Sequence, residues 1–197
     1  KIYLDNVVLK SLTAEPFETT YRPTAKGTYN ITAIATDAEG KQSKIAKYVL
    51  KVNNKRTAHK GVVNLPGIIE AENFDRGGEG FTYHDSDSKD EGGTNYRSDS
   101  EGVDIVTGNN SHALGFTAVN EWVEYSVNVT EGGKYAYKAT VSSGVTGSGF
   151  TIGVVEDGKI TSLCKVNVPQ TGNNDWGTYT TVEGKLSRDL EVGEQIL

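Results

Sequence analysis

Short alternations of apolar and polar residues run along this chain, and none keeps the spacing of a helix. The clearest early one puts Tyr29, Ile31 and Ala33 on one face, and the same pattern returns at Tyr48 and Leu50 after a turn at residues 37–40. Because successive side chains of a strand point to opposite faces, such alternation marks strands that are buried on one side. It predicts an antiparallel pair here, with further strands at residues 7–9 and 18–21.

The same alternation continues in the second half of the chain. Residues 123–129 and 135–141 flank a Gly-rich turn at 130–134 and predict a hairpin, and residues 150–154 with the turn 156–159 predict another. Residues 176–182 and 186–192 add two strands. Short strands separated by Gly- and Asn-rich loops are typical of an all-β sandwich, whose end loops often carry function.

Charge divides the chain into two parts. Residues 1–60 hold eleven Lys and Arg against five Asp and Glu, whereas residues 61–197 hold nine against twenty-one. Such asymmetry is typical of two joined units. We expect a first domain at residues 1–52, a polar, basic linker at 53–63 and a second domain at 64–197.

Composition excludes several functions. The net charge of −6 offers no basic surface for nucleic acid, and the single cysteine excludes an internal disulfide framework. No apolar run approaches the roughly 18 residues of a membrane span. Glu121 could pair with Glu124 or Glu79 as acid and base, but nothing marks such a pair, and no nucleophile or histidine metal motif is present. The sequence therefore predicts no catalysis in these residues.

Four short motifs follow one another along the second part. They are Ile69-Glu70-Ala71-Glu72-Asn73-Phe74, Gly115-Phe116, Glu121-Trp122-Val123-Glu124-Tyr125 and Thr171-Gly172-Asn173-Asn174-Asp175-Trp176. Their order and spacing resemble the family 6 carbohydrate-binding modules over residues 64–197. The resemblance implies a β-sandwich of the jelly-roll type that binds polysaccharide, here without its last strand or strands.

The resemblance also implies a sugar site. In that family a late-loop Trp and the aromatic residue of the Gly-Tyr step clamp a sugar ring, and these correspond to Trp176 and Phe116. Polar, flexible neighbours make Trp176 a poor core residue, and aromatic rings suit the apolar faces of sugars. Asn173 or Asn174 would add polar contacts, and core packing is the alternative for both rings.

A long insertion would form the wall of this cleft. It runs from Gly77 to Arg97, and Glu79 is our candidate for hydroxyl contact and Tyr96 for secondary stacking. Tyr83, His84 and Arg97 rank below them, and packing of the loop is the alternative for Tyr96. Trp122 lies within a predicted strand, where core or sheet packing is favoured over a second sugar cleft.

Two carboxylates, Glu70 and Glu72, stand two residues apart in a segment read as a strand, so they would project to one side and either repel or hold a hard cation. The family places structural calcium there, which implies calcium at Glu70 and Glu72 with an incomplete ligand set. A second acidic run, residues 85–92, lacks the EF-hand pattern and is interpreted as a solvated loop.

Residues 27–40 resemble the bacterial immunoglobulin-like domains that act as spacers in secreted polysaccharide-degrading enzymes, which implies that residues 1–52 are a partial domain of this type. With both chain ends inside strand-like sequence, we expect a piece of a longer bacterial protein, secreted or on the cell surface. The module would tether an attached glycoside hydrolase to plant or algal cell-wall glycan, with xylan or a β-glucan preferred. The alternative is a purely structural or adhesive pair of spacers.

Overall fold

The structure, a computed structural model, describes residues 1–23, 26–53, 55–97 and 102–197. It separates into two compact units, Lys1–Lys55 and Arg56–Leu197. The second unit therefore begins inside the segment predicted as a linker. The reason is physical: the Arg56 side chain is only 9% exposed and pairs with two buried carboxylates of the second unit.

The first unit is one antiparallel sheet in the order β2-β1-β3-β4. Its strands are β1 Ile2–Leu4, β2 Val7–Lys10, β3 Gly27–Ala33 and β4 Ala46–Val52. Tyr29 pairs with Leu50 and Ile31 with Tyr48, which confirms the predicted alternation and pairing. The strand predicted at residues 18–21 is absent there, and none of the unit's described residues is fully buried. The immunoglobulin-like assignment stays a prediction.

The second unit holds the remaining strands and a single 3₁₀ turn at Ala71–Asn73. The strands are β5 Val63–Leu65, β6 Tyr83–His84, β7 Ile105–Gly108, β8 Ser111–Leu114, β9 Trp122–Val123, β10 Ser126–Val129, β11 Ala136–Val141, β12 Ser148–Glu156, β13 Lys159–Val168, β14 Thr180–Lys185 and β15 Gly193–Ile196. The described residues form no helix with the length and apolar character needed to cross a membrane.

Strand pairing in this unit builds two layers. One is the sheet β15-β10-β5, and the other comprises the pairs β11-β14 and β12-β13. A buried cluster joins them, with Leu65, Val127 and Val129 from the first layer and Val154 and Leu163 from the second. The prediction of an all-β sandwich is confirmed.

The predicted hairpin between residues 123–129 and 135–141 is wrong. Strand β10 pairs with β5 and β15, whereas β11 pairs with β14. Residues 130–135 instead cross from one layer to the other, since both strands turn apolar residues toward the same core from opposite sides. The other predicted hairpin, β12-β13, is confirmed, with Glu156 opposite Lys159.

Three hairpins are closed by two-residue turns with positive φ at both positions. They are Asp5-Asn6 between β1 and β2, Asn109-Asn110 between β7 and β8, and Asp157-Gly158 between β12 and β13. Asn, Asp and Gly adopt this left-handed backbone at low cost, and its twist matches that of the flanking strands. The β7-β8 hairpin matters most, because the Phe116 loop begins where β8 ends.

Candidate functional site

The Trp176 side of the site is built by two neighbouring loops, residues 142–147 and 169–178. The ring is 56% exposed, which confirms that Trp176 is not a core residue. Its inner face lies against Gly144, where an added side-chain carbon would come 2.9 Å from the ring and 2.8 Å from the Asp175 amide nitrogen. Only glycine fits there, so Gly144 is the platform beneath the indole.

Hydrogen bonds fix the two loops to each other. The Asn174 amide donates to the Gly144 carbonyl at 2.9 Å, and the Ser142 hydroxyl donates to the Trp176 carbonyl at 2.5 Å. At the loop base, the Thr171 amide donates to Ser143 at 2.8 Å. An open groove of about 440 Å³ adjoins them, lined by Gln170, Thr171, Gly172 and Asn173. The predicted contact residue Asn174 is exposed beside this groove.

The Phe116 side is a loop between β8 and β9. The ring is 62% exposed, and its backbone is left-handed, with φ at 48°. A bulky residue in that region is an outlier that the surroundings must hold in place. Gly115 is required one step earlier, since a side-chain carbon there would meet Val106 at 2.6 Å.

Glu121 holds this loop through both carboxylate oxygens. Oε2 accepts the Ala118 amide at 2.7 Å, while Oε1 accepts the Ser86 hydroxyl at 2.6 Å and the Ser86 amide at 3.0 Å. Desolvation raises the pKa of Glu121, but the Ser86 and Ala118 hydrogen bonds outweigh it and leave the pKa below its usual range. Glu121 is therefore a charged tie between two loops.

Glu79 is oriented by the same neighbourhood. Its Oε1 lies 2.5 Å from His84 Nδ1, and its Oε2 accepts the Asp85 amide at 2.9 Å. Both groups are partly exposed. Each carboxylate oxygen has a second lone pair, so the predicted role of Glu79 as an acceptor of sugar hydroxyls is compatible with these contacts.

Further carboxylates surround this region and keep it negative. Burial raises the pKa of Asp85, with repulsion from Glu121, Asp87 and Glu79 adding to it. Burial likewise raises the pKa of Asp104, whose neighbours Asp85, Asp87 and Asp90 add to the shift. The acidic loop at 85–92 is folded by its own side chains, with Asp85, Asp87 and Asp90 each accepting an amide two residues on.

Tyr83 requires a correction, because the structure buries it. The ring is 6% exposed and lies edge-on to Phe74, with ring centres 5.6 Å apart. It is a core residue on the inner face of β6 and has no surface to offer a sugar. Tyr96 is engaged too: its hydroxyl donates to Asn73 at 2.8 Å, and its ring lies 4.2 Å from that of His112. Arg97 is buried over Phe74.

The predicted calcium residues do not lie on a strand. Glu70 precedes the 3₁₀ turn and is exposed, whereas Glu72 lies within it and is 5% exposed. Calcium takes about six to eight oxygen ligands. No three acidic, His or Cys side chains of the described residues gather into a metal-binding group. Main-chain carbonyls and waters also bind calcium, so calcium at Glu70 and Glu72 stays an untested prediction.

The two ring-bearing loops attach to one hairpin. Phe116 follows β8, while Tyr179, three residues after Trp176, reaches the turn of the β7-β8 hairpin, where a side-chain carbon on Gly108 would come 2.0 Å from its hydroxyl oxygen. No ring contact joins Phe116 to Trp176 within the described part of the chain. Both rings are more than half exposed.

Sequence reasoning missed Gly144, Ser86 and the role of Glu121 as a tie. The sequence offers Glu121 only as half of a possible acid-base pair, yet its two oxygens accept three hydrogen bonds. The one signal in the sequence was its place in the third motif.

A model of the family described as carbohydrate binding module (family 6) matches residues 92–195, slightly more than half of the chain. The match includes Phe116, Glu121 and Trp176, whereas the segment at residues 69–74 and Glu79 lie before it. No curated protein matches the sequence.

Proposed function

We propose, from the premise that this chain belongs to the family 6 carbohydrate-binding modules, that its second unit holds a polysaccharide chain against the rings of Trp176 and Phe116. Carbohydrate binding without catalysis is the property of the family. Glu79 accepts sugar hydroxyls at the wall of the cleft, and Asn174 adds an amide contact beside Trp176.

One observation carries the proposal. Among the described residues of the second unit, Phe116 and Trp176 are the aromatic side chains with more than half of their surface exposed. Exposing two large rings on loops fixed by specific contacts has no benefit for the core, whereas sugar rings stack on such surfaces through their C–H faces. Tyr83 and Tyr96 differ from Phe116 and Trp176 in this respect, because their rings pack against other side chains of the protein.

Charge supports a neutral glycan. Glu79, Asp85, Asp104 and Glu121 surround the Phe116 side, and burial raises the pKa of Asp85 and Asp104, with repulsion from neighbouring carboxylates adding to the rise. A polyanion would meet the same repulsion. Xylan or a β-glucan of plant or algal cell walls is the glycan class we favour, with affinities from about micromolar to millimolar, or about −8 to −4 kcal/mol.

The purpose we propose is tethering. A module that holds an attached glycoside hydrolase on its insoluble substrate raises the local substrate concentration without contributing chemistry. The first unit would then act as a spacer of immunoglobulin-like type in a secreted or cell-surface bacterial protein.

The test is affinity electrophoresis of the whole chain in gels containing xylan, mixed-linkage glucan, laminarin or agarose. We expect xylan or a β-glucan to retard the protein, and Trp176→Ala to abolish retardation. Phe17→Ala is the matched control, since Phe17 is equally exposed at 61% but lies in the first unit. Retardation that survives Trp176→Ala would place the site elsewhere, and a folded protein that no glycan retards would favour the structural or adhesive role.

A further inference from the structure

The loop that carries Phe116 has little structure of its own. Residues 116–120 are all exposed, and both Phe116 and Asn120 have left-handed backbone, with φ at 48° and 76°. The Gly115 amide is anchored to Asp104, and a weak 3.4 Å bond joins the Glu121 amide to the Ala118 carbonyl. A loop without buried side chains needs another source of order.

That source is the Glu121 carboxylate. Its Oε2 accepts the Ala118 amide at 2.7 Å, two residues after Phe116. Its Oε1 accepts both donors of Ser86, which belongs to the segment after β6. Hydrogen bonds to a charged acceptor are about twice as strong as those between neutral groups. One side chain therefore joins the Phe116 loop to the segment after β6, and its partner Ser86 lies 35 residues before it in the sequence.

The segment after β6 is the one that orients Glu79. His84 and the Asp85 amide hold the two oxygens of Glu79, and Ser86 follows directly. His84 also lies close enough to lower the pKa of Glu121 through its charge. The ring and the hydroxyl acceptor of the proposed site thus belong to one connected network.

We propose that Glu121 is a positioning residue that fixes the Phe116 ring relative to Glu79, by bonding the loop of one to the segment that holds the other. This rests on the proposed function, in which Phe116 and Glu79 contact the sugar. In this role Glu121 acts through its bonds to Ala118 and Ser86 and not through the ligand. Its contribution is to remove freedom from the free protein, so that less ordering is required on binding.

Backbone amide exchange tests the tie without any sugar. Compared with the wild-type chain, Glu121→Ala is expected to speed exchange at residues 86 and 116–121, while exchange in the Trp176 loop stays unchanged. Glu121→Gln keeps one acceptor oxygen and should lie between the two. Glu183→Ala, an exposed carboxylate on β14, is the matched control. Unchanged exchange at residues 116–121 would overturn the proposal.

A double-mutant cycle tests whether the tie acts through Phe116. Affinity is measured by calorimetry on xylohexaose, with mixed-linkage glucan and laminarin hexasaccharides in parallel. Glu121→Ala should weaken binding about tenfold in the wild-type background, within the usual coupling range of a hydrogen-bond network. In a Phe116→Leu background the same change should weaken it less than about twofold. Equal losses in both backgrounds would overturn the proposal.

The outcomes separate the inference from the function it rests on. If Phe116→Leu leaves affinity unchanged while Trp176→Ala abolishes it, the assignment of Phe116 is wrong and the inference falls with it. If Phe116→Leu weakens binding but Glu121→Ala does not, only the inference is overturned. If Glu121→Ala fails to fold, as judged by thermal unfolding, Glu121→Gln carries both measurements.

Discussion

The two exposed rings of the second unit are held in different ways. Trp176 rests on a glycine, and its loop is fixed to the neighbouring loop by main-chain groups, the Ser142 and Thr171 hydroxyls and the Gln170 amide. The carboxylate in this loop, that of Asp175, bonds within the loop itself, where it accepts the Gly177 amide. The Phe116 loop is fixed by the Glu121 carboxylate within a cluster of further acids. The first arrangement depends on shape and the second on charge, so different substitutions should disturb each.

The contrast extends below the surface. Beneath the Phe116 side, Arg56 pairs with Asp75 at 3.0 Å and Glu124 at 2.5 Å, and it also donates to the Phe81 carbonyl at 2.9 Å. Phe81 precedes the segment that leads to His84. The charge-dependent side therefore has a buried ion network nearby, whereas the Trp176 loops extend from strands β11, β12 and β13, which contribute Tyr137, Val154 and Leu163 to the aliphatic core.

The largest effect is expected at Arg56. Arg56→Met would leave the carboxylates of Asp75 and Glu124 buried without their cation, which costs about 3 to 5 kcal/mol in the free energy of unfolding. Urea denaturation followed by tryptophan fluorescence measures this in the second unit alone, because both Trp residues lie there. Lys55→Met is the adjacent control. A loss of unfolding free energy below about 1 kcal/mol would show that these ion pairs contribute little to stability.

Substitution of Gly144 tests whether the Trp176 side depends on shape. Gly144→Ala would place a carbon against the Asp175 amide and the indole, so the ring must shift, and we expect glycan affinity to fall at least about tenfold with the fold intact. Gly177→Ala is the matched control, since its added carbon meets only a terminal oxygen of Asp175 at 3.2 Å. Equal glycan affinities for the two variants would contradict the role of Gly144 as the platform beneath the indole.

Substitution of two serines compares the contribution of a single hydroxyl hydrogen bond on the Trp176 side with that on the Phe116 side. Ser142→Ala removes the bond to the Trp176 carbonyl, and Ser86→Ala removes one of three bonds to Glu121. Each should lower affinity by about 1 kcal/mol or less, the net value of one hydrogen bond. Ser86→Ala should have the smaller effect, because the Ser86 amide still donates to the same oxygen. A larger loss for Ser86→Ala would reverse that order.

The smallest effect concerns Asp104, whose carbonyl anchors Gly115. Desolvation raises its pKa, a bond from the Glu91 amide opposes this, and Asp85, Asp87 and Asp90 add to the rise. The folded state thus favours the protonated form, and the stability from this group is lost as pH rises through the raised pKa. Asp104→Asn keeps an acceptor for Glu91.

We therefore expect Asp104→Asn to raise the thermal midpoint slightly at pH 7, and the gain to vanish near about pH 3, where the wild-type carboxyl is protonated in both states. Thermal unfolding at the two pH values checks this. A lower midpoint at pH 7 would show that the charged form is instead stabilised by its surroundings.

Sequence pattern predicted which residues face a core better than which strands pair. The alternation at residues 127–129 and 135–141 placed both apolar sets correctly, yet the strands belong to opposite layers. Alternation of apolar and polar residues indicates that a strand has a buried face, but it does not indicate which strand pairs with it. The β12-β13 hairpin was predictable because a two-residue turn with Asp-Gly fixes the partner locally.

Site prediction succeeded where local sequence decides exposure and failed where distant residues do. Polar neighbours indicated that Trp176 is exposed. The structure buries Tyr83 against Phe74, a contact that the local sequence does not reveal. Arg56 was assigned to a linker for the same reason: its partners, Asp75 and Glu124, lie 19 and 68 residues away.

The central claim is that the glycan lies on Trp176 and Phe116, and the two indole N–H signals of the chain offer the most direct test. In a titration of ¹⁵N-labelled protein with the hexasaccharide of the retarding glycan, assigned with a Trp176→Phe variant, the Trp176 indole signal and the amides of residues 115–120 should shift together. The Trp122 indole should stay in place. Shifts confined to Trp122 or to the first unit would contradict the account.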